Sequence, residues 1–297
     1  MRLSVHYTPK MVANAESYSP SAGKPALVMA SWAECRLPLN IIQPAPVSLE
    51  QLSLAHDPAF VQGVLAGKIS NGFGNKSTCV AESLPYTSGV MLSAARAALD
   101  NQCGAIAPCS GFHHAGYDFA GGFCTFNGLM VAATVLLEES KVRKVGILDC
   151  DQHWGNGTQN IIDRLHLGGR IVHYTPCRNF GRAHQAEAFL AMLPQLLTIF
   201  ADCDLVLYQA GADPHIHDPL GGWLTTEQLY QRDARVFDCL RKMSIPVAWN
   251  LAGGYQRDAA GTIRPVLDIH DNTLQAFAEC WGIKCTLSNS IKSAQPA

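Results

Sequence analysis

Residues 148–159 read LDCDQHWGNGTQ, with Asp149, Asp151 and His153 at alternate positions directly after an apolar run that ends at Leu148. In extended chain, alternate side chains share a face, so all three would point one way from the end of a buried strand. Like-facing polar groups there are costly to desolvate unless something pairs them. Taken alone, the stretch has a second reading as a cap-and-turn cluster that opens the next helix through local hydrogen bonds.

The surroundings decide the fold class. Apolar runs of strand length, Ala105–Ala107, Val145–Leu148, Ile171–His173, Leu205–Gln209 and Val247–Asn250, alternate with helix-like segments at Val90–Leu99, Gly128–Ser140 and Thr225–Met243. That alternation predicts an α/β fold, a single domain with a central, mainly parallel sheet flanked by helices. Four of the five runs lead into polar, glycine-bearing loops: SGFHHAG (110–116), DCDQHWG (149–155), AGADPHIHDPLGG (210–222) and LAGGYQRD (251–258). Ligands of open parallel sheets bind beyond the carboxyl ends of the strands, so the four loops should meet over one site. Two turn-rich stretches nearer the N-terminus, YSPSAGK (18–24) and SNGFGNKST (70–78), are expected at the rim of that pocket.

Composition bounds the rest. The 297 residues are 48% hydrophobic and 15% charged, with a formal net charge of -2, which suits one large core and shows no basic face for nucleic acid. Eleven scattered cysteines, odd in number and without a Cys-x-x-Cys, read as reduced thiols. The start, MRLSVHYTPKM, lacks a basic stretch followed by an apolar core, and the apolar run Leu129–Leu137 is too short to span a bilayer. A cytoplasmic protein with no membrane partner is expected.

At the loops, a divalent metal is the natural partner for the like-facing carboxylates, and two carboxylates with an imidazole make a set suited to zinc. Asp213 stands one strand away as a further ligand. His113 and His114 are too close in sequence for both to bind one metal easily, but suited to flanking an activated water. Tyr255, after Gly253 and Gly254, brings a phenol to the same end of the sheet, or equally a core hydroxyl bonded to backbone.

FHHAG followed by GGFCTFN, DxDxHxGNGTQ, AGAD with DPLGGWLT, and GGY, in that order, resembles the zinc-dependent histone deacetylase and acetylpolyamine amidohydrolase family, in its bacterial, class II-like form. The match is dense from Ser110 to Asp258, and HDPAFVQGVLAG (56–67) is similar to the family's N-terminal helix region. The resemblance implies a deacetylase-like catalytic domain over residues 1–286, followed by a polar tail at 287–297. It makes Asp151, His153 and Asp213 the ligands of one zinc ion, Asp149 the partner of His113, and Asn156 the partner of His114. His114 becomes the general base and acid, His113 an electrostatic support and Tyr255 the donor to the oxyanion. Gly122 and Phe123 fall at channel-lining positions, as does Leu220, where some polyamine-selective relatives carry Glu. The implied substrate is a small acylated amine or an acyl-lysine, and no nucleic acid.

Three departures from the pattern stand out. Trp154 replaces the second histidine of DxDxHH and is expected to serve packing. VHYTPCRNFGRAHQAEAF (172–189) lacks the usual glycine-rich stretch, leaving Phe180 as the candidate for a second channel aromatic and the pocket more open. Ile171 stands where a hydroxyl would complete a nearby potassium site, which argues against bound K+. Two other functions compete: a metal-containing binding module for acylated ligands, which would need neither base nor oxyanion donor, and an arginase-like ureohydrolase, which would need a two-manganese carboxylate cluster.

Overall fold

The computed structural model describes residues 2–284, so the expected tail at 287–297 lies outside them. Its frame is one seven-stranded sheet: β1 (Leu3–His6), β2 (Leu39–Ile42), β3 (Gly104–Ala107), β4 (Val145–Asp149), β5 (Ile171–Tyr174), β6 (Leu205–Gly211) and β7 (Val247–Ala252). All neighbours run parallel, in the order β2-β1-β3-β7-β6-β4-β5. The last strand in sequence therefore lies between the two groups that precede it. The helices are α1 (Lys24–Glu34), α2 (Leu49–Ser53), α3 (Pro58–Leu65), α4 (Thr78–Asn101), α5 (Gly128–Glu138), α6 (Asn156–Arg164), α7 (Ala186–Leu196), α8 (Thr226–Lys242) and α9 (Arg264–Cys280). Among the described residues no helix is long and apolar enough to cross a membrane.

Each inner strand is apolar on both faces, as a sheet covered on both sides requires. Alternate residues serve different cores: Leu205, Leu207 and Ala248 pack with α4 and α5, while Val206, Tyr208, Val247 and Trp249 pack with α1, α7, α8 and α9. Helix boundaries follow local chemistry. Thr225 and Gln228 form a reciprocal capping box at the start of α8, and Asn127 caps α5 by accepting from Met130 N–H. The sequence pattern locates β3 to β7 within two residues. It misses β1 and the half-exposed edge strand β2, and it finds only the second half of α4, whose first half contains Pro85.

One buried node fixes the loops against these helices. His56 Nδ1 donates to Gly116 O (2.8 Å) and its Nε2 accepts from Asn127 N–H (2.8 Å). Asn127 Nδ2 in turn donates to Ala115 O (3.2 Å) and to Thr158 Oγ1 (2.9 Å). The HDPAF segment, the paired-histidine loop and the start of α6 are thus tied at one point.

A proton on His56 Nε2 would face the Asn127 N–H, and complete burial lowers the imidazole from 6.5 to about 4. Protonation therefore favours the unfolded chain: the stabilisation is complete above pH 6.5 and is lost as pH falls towards 4. Urea titrations should show wild type losing about 2 kcal/mol more than His56→Gln between pH 7 and pH 5. Parallel pH slopes for the two proteins would contradict this role.

Candidate active site

The loops after β3, β4, β6 and β7 converge at the carboxyl edge of the sheet. Asp149 is the last residue of β4, opposite Gln209 of β6. Beyond it, Asp151, His153 and Asp213 bring one ligand atom each to within 4.8 Å of one another. His153 Nδ1 lies 3.0 Å from Asp151 Oδ1 and 3.1 Å from Asp213 Oδ2. Its Nε2–H points to Leu220 O (3.2 Å), which fixes the ring so that Nδ1 faces the carboxylates.

This set fits a divalent cation. Asp213 Oδ2 is buried and makes no well-formed hydrogen bond. Burial and then the nearby Asp151 push the Asp213 carboxyl up, and the close contacts of Asp151 and Asp213 with His153 raise its imidazole to about 11. Both shifts express a pocket that demands positive charge between its oxygens. Gly253 makes room for the approach: at φ +48°, a Cβ there would sit 2.1 Å from Asp213 Cγ.

The two histidines stand beside this set with ring centroids 4.0 Å apart, and they have different partners. His113 Nδ1 donates to Asp149 Oδ2 (2.8 Å), while its Nε2 is 3.6 Å from Asp151 Oδ1. Burial opposes a charge on His113, yet Asp149 and Asp151 outweigh it and hold the pKa up at about 9. His114 Nδ1 donates to the neutral Asn156 Oδ1 (2.6 Å). Burial and the adjacent His113 pull its pKa down. Asp149 is held by more than His113: its Oδ1 accepts from Gln209 Nε2 (2.8 Å) and from Asp151 N–H (3.2 Å).

Aromatic residues line the approach. Tyr255 lies 5.8 Å from Phe123 and stacks at 6.2 Å on Tyr18, and Phe73 packs on Phe123 at 6.1 Å. The two N-terminal loops thus stand at the rim. Gly122 lies directly under His114, where a Cβ would come within 2.5 Å of the ring. Phe123 takes a left-handed backbone (φ +64°), unusual for a large side chain. Leu220 is 40% exposed at the mouth. Burial, then Asp151 and Asp213, raise the Tyr255 hydroxyl far above the usual phenol range.

Two expectations need correction. Phe180 packs on Phe189 and Trp223 in the core beneath α7 and so lines no channel. Trp154 is not a packing residue: it is 40% exposed, with the Arg178 guanidinium 4.8 Å from its ring centre. Ile171 is buried, and its side chain carries no hydroxyl.

A histone deacetylase domain model matches residues 21–167 and 167–266. The chain belongs to the histone deacetylase domain family. As a member it is a hydrolase acting on amide bonds. It is similar to an uncharacterized protein of Picosynechococcus sp. (29% identity, 74% of this chain, 80% of the relative). It is also similar to a probable deacetylase of Methanothermobacter thermautotrophicus (23%, 84% of each) and to acetylpolyamine amidohydrolase 2 of Pseudomonas aeruginosa (45%, 56% of this chain, 53% of the relative). Among solved structures, the HDA15 HD domain aligns with TM-score 0.74 at 19% identity, over 94% of this chain and 90% of that one. An acetylpolyamine aminohydrolase from Burkholderia pseudomallei aligns with TM-score 0.68 at 17%, over 94% and 99%. These two share the fold.

Around the family's motifs this chain adds supports that the sequence does not announce. Lys24, fully buried at the start of α1, donates from Nζ to Gly253 O, and burial lowers its pKa to about 8 even though Asp213, Asp151 and Asp218 oppose the shift. Asp218 accepts from Tyr255 N–H (2.8 Å) and Leu220 N–H (3.0 Å), joining two loops. Arg232 of α8, also buried, donates from Nη1 to Cys150 O (3.2 Å) and Gly211 O (2.9 Å), and from Nε to Asp233 (2.8 Å). It holds the backbone just before Asp151 and Asp213. Asp218 lies inside a quoted motif. Lys24 and Arg232 carry no sequence signal, being single basic residues in ordinary helical contexts.

Replacing Arg232 by Met leaves Asp233 buried without its cation and frees two buried carbonyls. Denaturant unfolding should register a loss of about 3–5 kcal/mol. A loss below about 1 kcal/mol, the range of an exposed pair, would mean that Arg232 is not the strut described.

Proposed function

We propose that the chain is a zinc-dependent deacylase that hydrolyses the amide of an N-acetylated or N-acylated amine, with residues 1–286 as its catalytic unit. The observation that carries this reading is the pair of differently partnered histidines beside the Asp151, His153 and Asp213 set. Zinc held by those three side chains supplies Lewis-acid activation of water and of an amide carbonyl.

The chain's own residues do the rest. His114, its Nδ1 proton committed to Asn156, keeps Nε2 free, and its lowered pKa favours the unprotonated base. It takes a proton from the attacking water and delivers it to the departing nitrogen. A C–O bond forms at the carbonyl carbon, the C–N bond breaks, and the second water proton passes from the new carboxylic acid to the amine, so that a carboxylate and an ammonium ion leave. His113, charged and oriented by Asp149, stabilises negative charge developing beside it. Tyr255 retains its proton at neutral pH, as an oxyanion donor must, and the Asp218 bond to its N–H sets its position. Gly122 and Phe123 shape a channel for the aliphatic part of the acylated amine, with Leu220 at its mouth and the polar head outside.

A metal-containing binding module would have no need of such a tuned histidine pair. The likeness to proteins named acetylpolyamine amidohydrolases supports a small acylated amine as substrate. Buried cysteines such as Cys109, Cys124 and Cys150 carry free thiols, which suits a reducing, cytoplasmic setting.

Metal analysis of purified protein should find one zinc per chain, lost in Asp213→Ala. Tyr255→Phe should keep its zinc and lose about 10²–10³-fold in kcat on acylated amines. Full activity of that variant would remove the phenol from the mechanism.

A further inference from the structure

Beside His153 lies a crevice of about 340 Å³ that the acyl channel does not use, walled by Trp154, Gln159, His173, Tyr174, Arg178 and Asn179 together with Thr175. Its size is that of a small-molecule site. The wall is polar; its exposed charge is the Arg178 cation, with the buried Asp149 carboxylate 4.0 Å behind His173 Nε2. Arg178 rests on Trp154, and among the described residues no carboxylate lies within ion-pair distance of it. The segment 171–185, IVHYTPCRNFGRAHQ, contains two arginines and two histidines and no acidic residue. It is also where the chain departs from the glycine-rich family pattern.

Other groups on the wall are ready to donate. The Tyr174 hydroxyl is buried without a well-formed hydrogen bond. His173 is turned inward, with its nitrogens engaged by Gln159 Oε1 (3.3 Å) and Thr175 Oγ1 (3.1 Å), so the outer donors are Arg178 and Asn179, with the buried Tyr174 hydroxyl behind them. A guanidinium that covers an indole and has no carboxylate partner keeps N–H groups free for a carboxylate. The exposed carboxylate nearest in sequence to the paired histidines, Asp118, belongs to a different loop and is not part of this wall.

We propose that this crevice recognises a carboxylate on the amine half of the substrate, so that the preferred substrates are N-acyl amines carrying an anionic group, such as acylated amino acids, rather than cationic polyamines. This rests on the deacylase reading. Trp154 marks the link: it follows His153 of the metal set in sequence, and Arg178 lies over it, so the wall begins one residue from the metal set. Relatives named for acetylpolyamines would then differ from this chain in the half of the substrate that stays outside the channel.

The test uses zinc-loaded protein and three substrates: Nα-benzoyl-Nε-acetyl-lysine, its primary amide and N-acetylputrescine. The acid should exceed the amide by about tenfold or more in kcat/KM, mostly through KM. Arg178→Gln should bring that ratio close to one. Preference for N-acetylputrescine, or an unaltered ratio in the variant, overturns the inference. If none of the three is hydrolysed, the deacylase reading fails instead, and the crevice is judged by binding. Tryptophan fluorescence titrations, with Trp154→Phe as control, should show tighter binding of the acid than of the amide, lost in Arg178→Gln. Equal binding of acid and amide overturns the inference by that route.

Discussion

Three carboxylates, Asp149, Asp151 and Asp213, are buried at the carboxyl edge of the sheet, and the chain is arranged to compensate that concentration of negative charge. Water cannot solvate them there, so each oxygen needs a proton donor or a cation. Asp149 receives His113, Gln209 and a backbone N–H. Asp151 and Asp213 share His153 and keep one oxygen without a donor, the opening that a metal completes. Lys24 adds a distant positive charge, while Arg232 fixes the backbone from which the ligands project. Site and stability are therefore coupled: the groups that tune the chemistry are also those that make its burial tolerable.

Close backbone approach is the second constraint, and it explains glycines that electrostatics does not. A Cβ on Gly155 would sit 2.5 Å from Asp149 Oδ2, and one on Gly157 would strike the backbone of His114 and Ala115 at 2.4 Å. The GNG of the opening stretch is thus the place where α6 is pressed against the paired-histidine loop. Asn156 stands between these glycines and reaches His114 because of that contact.

Much of this was legible in the sequence, for reasons that differ by element. Strands β3 to β7 are buried on both faces and appear as uninterrupted apolar runs, and the loops that follow them carry residue types that few other roles require. β2, half-exposed at the sheet edge, has no such run. Pro85 hides the first half of α4 because its local preference opposes the helix that tertiary packing enforces. Lys24 and Arg232 act through contacts with residues 229 and 82 positions away, respectively, and no local pattern encodes those. Trp154 was misread because a large apolar side chain beside a strand end normally turns inward, whereas here a cation covers it at the surface.

The position of β7 has a consequence for how the molecule comes into being. It is the last strand among the described residues, yet it joins β3 on one side to β6 on the other. Without β7, the pairing of the described strands leaves two separate leaves with open edges, one of β2, β1 and β3 and one of β6, β4 and β5. Such late, long-range pairing slows folding and leaves strand edges open to wrong partners. The paired histidines hang from one leaf and the metal-binding side chains from the other. The pocket is therefore complete only when β7 joins the two leaves.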